Sequence, residues 1–356
     1  MKERTRRTVC FALAAVAVLL IRVRQEHPAS AQELAVQTAL PVAQRYLIPG
    51  GLAVGVALKT QGVLVVAKTG GNAAVPLRVG DVILSVEGEK IDSAKALASR
   101  LSKVEKENVE LSVLRGEQMM TVRAAAPVDG ADGRRRLGVW VRDSTAGVGT
   151  LSYVDPVNRA YGALGHAIVD ADTGGMLAAQ DGAILNARVV GVVKGKSGQA
   201  GELRGSFLRE NEQIGTLQIN SEYGIYGHLD AELDDLLYPQ GLPVGSREDV
   251  HNGPATIITT VDEHGPAEYT IEITRCFAQT EPNQKGMILR VTDERLIEKT
   301  GGIVQGMSGS PIIQDGKLIG AVTHVYLSDA ARGYGMYIEW MLSQSDRLEP
   351  ASDCAA

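Results

Sequence analysis

From Leu137 onward the chain is a succession of short apolar runs separated by turns rich in Gly, Asp and Asn. The runs are Gly138 to Val141, Thr150 to Tyr153, Ala187 to Val193, Ala255 to Thr260, Tyr269 to Thr274, Met287 to Val291 and Gly316 to Tyr326. Runs this short, broken before a helix completes several turns, read as strands. Roughly 200 residues of them suit a β domain of two barrels. Upstream, after a helical-looking segment from Glu33 to Tyr46, a second strand-rich unit runs from Ile48-Pro49-Gly50-Gly51 to about Ala126. Its runs are Leu52 to Leu58, Gly62 to Ala67, Val82 to Val86, Val109 to Leu114 and Met119 to Ala124, the last two bracketing an Arg115-Gly116-Glu117 turn. One helix is expected inside it, capped by Asp92 or Ser93, with Ala94, Leu97, Ala98, Leu101 and Val104 on one apolar face. Pro127 to Arg136, dense in Gly, Pro and charge, reads as the linker, its triple Arg a solvated charge run and a conceivable cleavage site.

With 356 residues, two domains are the natural division. The 36 Lys+Arg against 42 Asp+Glu leave a formal charge of −6, without the positive field of a nucleic-acid binder. Forty Gly beside few aromatics fit tight turns around small aliphatic cores. The three cysteines, Cys10, Cys276 and Cys354, form neither a disulfide scaffold nor a zinc pattern, and only Cys276 belongs to the expected folded body, as an inert thiol. No metal is expected. Gly195-Lys196-Ser197 ends like a phosphate loop, but Val190 stands where the first glycine of that motif is required, so ATP is not implied.

The N-terminus carries Lys2, Arg4, Arg6 and Arg7, then the apolar run Val9 to Ile21, then Arg22 and Arg24. This is the pattern of an export signal peptide or of a transmembrane anchor: Ala29-Ser30-Ala31 favours cleavage, the flanking arginines favour retention. Either way the body is expected outside the cytoplasm.

The chemistry is carried by Gly306-Met307-Ser308-Gly309-Ser310-Pro311, followed by Ile312-Ile313, a Gln314-Asp315-Gly316 turn and an apolar strand. A hydroxyl raised on a glycine-flanked turn, with backbone N–H groups beside it, is what acyl transfer needs. Ser308 is the candidate nucleophile, with Ser310 as a rival, and the Gly306 and Ser308 amides are the candidate oxyanion donors. Of six histidines, His166 in Gly165-His166-Ala167-Ile168-Val169-Asp170 is the candidate base. His228 in Gly227-His228 is its rival, His324 is a candidate wall residue of the site, and His251 and His264 sit in polar turns.

Two resemblances follow from these motifs. Leu77-x-x-Gly80-Asp81-Val82-Ile83 with Gly88, Ile91 and the amphipathic helix is similar to the PDZ signature. That resemblance implies a peptide-binding edge, with the loop Gly50, Gly51 and Leu52 offering amides to a carboxylate. A PDZ domain that packs on its neighbour and takes no free peptide is the other reading. The serine segment is similar to Gly-Asp-Ser-Gly-Gly-Pro of chymotrypsin-like peptidases, with Met307 replacing the aspartate that pairs with a freed N-terminus in zymogens.

Together with Gly162-Ala163-Leu164-Gly165-His166-x-Ile168-x-Asp170 and Glu298-Lys299-Thr300-Gly301-Gly302-Ile303-Val304-Gln305 before the serine motif, the chain resembles the stage IV sporulation protein B family. The resemblance implies a mainly β protein: signal or anchor helix over 1–32, PDZ domain over 46–126, linker over 127–136 and a chymotrypsin-like double-barrel serine peptidase over 137–347. His166 is then the base, Ser308 the nucleophile, and the family's acidic residue falls on Asp293, only 308 − 293 = 15 positions before the serine. That spacing is short for a triad, so a structural clamp at Asp293, or Asp170 or Asp172 as the third member, stays open. The family further implies export from the forespore, anchoring in or release into the space between the forespore and mother-cell membranes, cleavage of a membrane-bound regulator of pro-sigma-factor processing, self-cleavage in trans, and no cofactor. The alternative from a different class is a PDZ-bearing adaptor that binds envelope proteins without cleaving them.

Overall fold

A computed structural model of the chain describes residues 45–69, 75–177, 181–207 and 213–350. The hydrophobic helix expected over 1–32 lies outside these, as do Cys10, His27 and Cys354. Among the described residues no helix is long and apolar enough to cross a membrane.

The chain enters through β1 (Tyr46–Pro49) and then a 16-residue strand, β2 (Ala53–Lys68). A small module follows: β3 (Val82–Val86), β4 (Glu89–Lys90), α1 (Ala94–Lys103), β5 (Asn108–Arg115) and β6 (Gln118–Ala125). The helix is where its apolar spacing puts it, and Ser93 caps it by accepting from the Ala96 amide. Leu97 and Leu101 then face Leu77, Ile83, Val86, Ile91, Val109, Leu111 and Val113, a core of aliphatic side chains alone. Asp81 is buried where the motif needs it, accepting from the Arg78 amide and from the Arg115 guanidinium.

The second 16-residue strand, β7 (Val139–Val154), returns antiparallel along almost all of β2, from Ala53 opposite Thr150 to Lys68 opposite Val139. This ladder changes the expected boundaries. Val63 and Leu64 of β2 pair with β3, and Val63 and Val65 lie in the core of the small module, whereas residues 54–59 pair with β9 (Asp181–Val193) in the next one. The segment 46–59, expected to open the PDZ domain, thus belongs with the next module, and Val139 and Val141, expected to open the peptidase, pack on the core of the small one. The 127–136 stretch is likewise folded rather than free, since Arg135 donates to the Val104, Glu105 and Ala126 carbonyls.

Six strands close the first barrel. From β7 the ring runs through β8 (Ala160–Ala163), β12 (Gly224–Leu229), β11 (Gln213–Ser221), β9 and the first half of β2, back to β7. Between them β10 (Glu202–Phe207) adds to β9, and β13 (Leu242–Pro243) adds to β1. The second barrel is closed by β14 (Gly253–Thr260), β15 (Pro266–Cys276), β16 (Met287–Val291), β19 (Arg332–Tyr337), β18 (Lys317–Val325) and β17 (Pro311–Gln314). Helix α2 (Glu294–Thr300) leads from β16 toward the serine loop, and α3 (Ile338–Ser345) ends the body. Closure leaves no open edge along either ring. The expectation of a mainly β, double-barrel body is met by these pairings.

Candidate active site

The nucleophile loop lies between α2 and β17. Helix α2 stops at Gly301, a left-handed cap at φ 77°, and the chain then turns through Gly302, Gly306 and Gly309, all at positive φ. At Gly309 the need for glycine is absolute: a Cβ would sit 2.1 Å from the Thr150 carbonyl oxygen and 2.6 Å from the Leu164 amide. Those atoms belong to the first barrel, so the glycine lets the two barrels close around the serine.

Hydrogen bonds fix the loop from both sides. The Thr150 amide donates to the Ser308 carbonyl at 3.1 Å, and the Thr150 hydroxyl to the Gly306 carbonyl at 2.8 Å. Gly309 donates to the Val322 carbonyl, and Met307 to Val304. Met307 is fully buried, so the residue that replaces the zymogen aspartate serves as core. Ser310 is fully buried, its hydroxyl donating to the Met307 carbonyl at 2.6 Å, and it does not line the cleft that Ser308 lines, so burial argues against it as a rival nucleophile. The amides of Gly306 and Ser308 have no hydrogen-bond partner among the described residues. Two unpaired amides two positions apart, one of them the serine's own, in residues that line the same cleft are the kind of donors an oxyanion requires.

His166 comes from the first barrel, just after β8. Leu164 and Gly165, both at φ 68°, turn the chain sharply, and Gly165 packs so closely on Thr323 that a Cβ there would meet its methyl at 3.0 Å. His166 Nδ1 lies 2.9 Å from the Ala167 carbonyl. With Nδ1 donating there, Nε2 holds the lone pair that a base needs. His166, Ser308, Gly306, Thr323 and His324 line one cleft of about 990 Å³, and a second groove of about 550 Å³ continues from it past Val148, Gln305 and Gly306 to Phe207. The Ser308 hydroxyl donates to the Thr323 carbonyl at 2.8 Å.

The expected third member is not assembled. Asp293 caps α2, accepting from the Arg295 amide and guanidinium and from the Thr270 amide. The Arg295 hydrogen bonds, against the opposing pull of burial, hold its carboxyl below the usual range. Its acceptor capacity is thus spent beneath the loop, and Asp293 is a clamp. Asp170 is fully buried and committed to Arg142 and to the Asp172 and Thr173 amides. Asp172 pairs with Arg142. Among the described residues none of the three carboxylates bonds His166.

Gly50, Gly51 and Leu52 are not a peptide-binding loop. The Gly50 and Gly51 amides donate to the Ser152 and Leu151 carbonyls, Thr260 donates to the Gly51 carbonyl, and a Cβ on Gly51 would fall 2.3 Å from Ile258. These glycines approach the Leu151 and Ile258 backbone and side chains of the barrels, not a peptide. His228, the rival base, is buried within β12 opposite Thr216 and Ala160, and burial lowers its pKa. His251 and His264 pair with Asp315 and Asp262 in turns. Burial also raises the Cys276 thiol, as an inert cysteine requires.

Several site residues carry no motif. Asn220 accepts from the Ile168 amide and donates to the Ile168 and Leu177 carbonyls, pinning the segment behind His166. Thr150 and Thr323 are polar residues in strands, indistinguishable in sequence from solvent-facing threonines.

A sequence profile described as SpoIVB peptidase S55 matches residues 133–342, more than half of the chain. The chain belongs to the SpoIVB peptidase S55 family. It is therefore a serine peptidase, and the non-catalytic adaptor reading is set aside. No curated protein matches it. Among solved structures, the active form of the Rv3671c protease from M. tuberculosis is 13% identical, covering 58% of this chain and 78% of its own, with a TM-score of 0.31. The HtrA-type protease AlgW with tripeptide is 12% identical, covering 56% of this chain and 54% of its own, at 0.32. The PDZ domain of an SdrC-like protein from Listeria monocytogenes is 19% identical, covering 23% of this chain and 87% of its own, at 0.21. Scores this low leave the architecture of this S55 peptidase to rest on the strand pairings themselves.

Proposed function

We infer that this S55 peptidase is a signalling endopeptidase with Ser308 as nucleophile and His166 as general base. As Ser308 Oγ bonds to the substrate carbonyl carbon, its proton passes to His166 Nε2 and the carbonyl oxygen takes the negative charge. The Gly306 and Ser308 amides receive that oxyanion. Collapse expels the amine, which takes the proton from His166, and water then releases the acyl group by the same steps in reverse roles. Each such donor contributes on the order of 10²-fold or more in rate. The observation that carries the reading is the pair of unpaired amides at Gly306 and Ser308 in the cleft that His166 also lines.

Family membership supports the biological setting: export from the forespore, a membrane-bound regulator of pro-sigma-factor processing as substrate, and self-cleavage in trans. The Gly306-side groove supplies room for an extended chain on one side of the serine.

The test is labelling of the purified body with a serine-directed fluorophosphonate, beside Ser308→Ala and His166→Ala. Labelling of the wild type alone is expected; equal labelling of all three, or none of the wild type, would overturn the assignment. The substrate is tested separately, by adding the active protein to membranes bearing the regulator and looking for Ser308-dependent fragments.

A further inference from the structure

We propose that Arg142 is a positioning residue of the peptidase, holding the His166 segment in register with Ser308 and linking the PDZ-type module to the active site. The proposal rests on the assignment of Ser308 and His166 above.

The segment after His166 is a folded-back loop. Leu177 donates to the Ile168 carbonyl, Asp170 to Gly175, and Gly174 to Asp170, while Val169 bridges Met176. At its apex the Asp170 side chain is 0% exposed. One of its oxygens accepts from the Asp172 and Thr173 amides, and the other takes the Arg142 guanidinium at 2.6 Å. The second arm of the same guanidinium reaches Asp172 at 2.6 Å. Such a fork, binding two carboxylates at once, suits arginine and not lysine. Without it a carboxylate stays buried with amide donors only, a costly state that is relieved by opening the loop. Ile168, two positions from the base, is pinned by Asn220, so the Arg142 clamp and the Asn220 bonds together set the path of the chain that leaves His166.

Arg142 does not act from a free surface. It is part of β7, opposite Leu64 of β2. Its neighbour Asp143 accepts from the Ala94 amide, the first residue of α1, at 2.8 Å, while Val139 and Val141 pack on the PDZ-type core. Further along the same strand, Thr150 holds the nucleophile loop by two hydrogen bonds. The separation of 150 − 142 = 8 residues spans about 26 Å of extended chain. A single strand thus carries the anchor of the base at one point and the anchor of the nucleophile at another, and its far end is built into the module that contains α1. A displacement of α1 that pulls on Asp143 acts on Arg142 directly.

The experiment compares the full-length protein with its Arg142→Gln, Arg142→Lys, Asp170→Asn and Arg142→Gln/Asp170→Asn variants, using fluorophosphonate labelling rate and turnover of a peptide ester. In folded Arg142→Gln, kcat is expected to fall about 100-fold with KM unchanged, the scale of a misplaced catalytic group. Arg142→Lys is expected between the two, because it keeps the charge and loses the fork. The double variant should be no slower than the slower single one, since both changes remove the same contact. Wild-type rates in folded Arg142→Gln, losses that multiply in the double variant, or a change in KM alone would each overturn the proposal. If Arg142→Gln does not fold, Arg142→Lys decides: a reduced kcat supports the role, and wild-type kcat refutes it. An unlabelled wild type removes the Ser308 assignment and this proposal with it, and is distinguished by being independent of residue 142.

Discussion

The Ser308 hydroxyl donates its hydrogen bond to the Thr323 carbonyl, not to His166. Thr323 belongs to β18, lies past Ala321, the last residue of that strand paired with β17, and lines the cleft. A substrate amide that takes the Thr323 carbonyl releases the hydroxyl to rotate toward His166 Nε2. A peptidyl phosphonate with a free N–H beside its reactive phosphorus should therefore label Ser308 faster than its N-methyl counterpart, by about tenfold for one hydrogen bond. Equal rates for the two inhibitors would mean that the Thr323 carbonyl is not part of activation.

Asp293 supports the loop without touching the base. Asp293→Asn keeps a capping oxygen and loses the negative charge that faces Arg295, so it is expected to lower stability by less than the ~1 kcal/mol of a fully lost helix cap. Labelling of the protein that remains folded should continue. The pH dependence has a definite sign: the folded-state carboxyl is depressed, so its stabilising contribution is present above the ordinary carboxylate range and is lost as pH falls through the lowered value. The variant should therefore unfold with a shallower dependence on acid than the wild type. Thermal melts from pH 6 to pH 3 check both points, and complete loss of labelling in a fully folded Asp293→Asn would restore the aspartate to the triad.

The boundary of the PDZ-type module was the least legible feature, and the reason is physical. Gly62, at φ 85°, punctuates β2 just as a hairpin glycine would, yet it marks an irregularity in a strand that runs straight on from one module to the next. A turn glycine and a bulge glycine have the same sequence signature; only the distant partner, β7, distinguishes them. By contrast α1, the Gly80-Asp81 turn and the Ser308 loop were legible because each depends on neighbours within a few positions. Asp293 was readable as an important acid, but whether it faces a histidine or an arginine depends on the path of α2. Arg142 and Asn220 carried no signal, since their partners lie 28 and 52 residues away.

His324 stands beside His166 with ring centroids 6.0 Å apart, and its Nδ1 is buried with no hydrogen-bond partner among the described residues. Burial first, then the nearby charges of His166 and Lys285, hold its pKa below the ordinary imidazole value. In the unfolded chain this histidine takes a proton near pH ~6.5, whereas in the fold it resists until lower pH. The unfolded state then binds more protons in that window, so stability falls as the solution is acidified through it. Melting temperatures at pH 7.5 and pH 5.5 should show a smaller drop for His324→Gln than for the wild type. An identical drop would place the acid sensitivity elsewhere, His228 being the next buried imidazole.

The shared strands dictate how the PDZ-type module can be removed. Deleting residues 46–126, the boundaries that sequence alone suggests, takes away β1 and the barrel half of β2, whose residues 54–59 pair with both β7 and β9. That breaks the closed ring and removes Val54, Val56 and Leu58 from its core, exposing Leu151, Ile184 and Ile225, so the product should be insoluble whatever the module does. Lys59 and Ser144, however, are directly opposite each other in the ladder. Replacing residues 60–143 by an Asn-Gly turn joins them as a two-residue hairpin of the kind the twist of paired strands favours. This shortened protein is expected to be soluble and to keep both barrels, checked by circular dichroism and cooperative melting. It also lacks Arg142, so its labelling should be slow, about as slow as folded Arg142→Gln. Full-speed labelling of the excised protein would show that neither the module nor Arg142 is needed to set the base, and an unfolded product would mean that the first barrel depends on the far half of the β2–β7 ribbon.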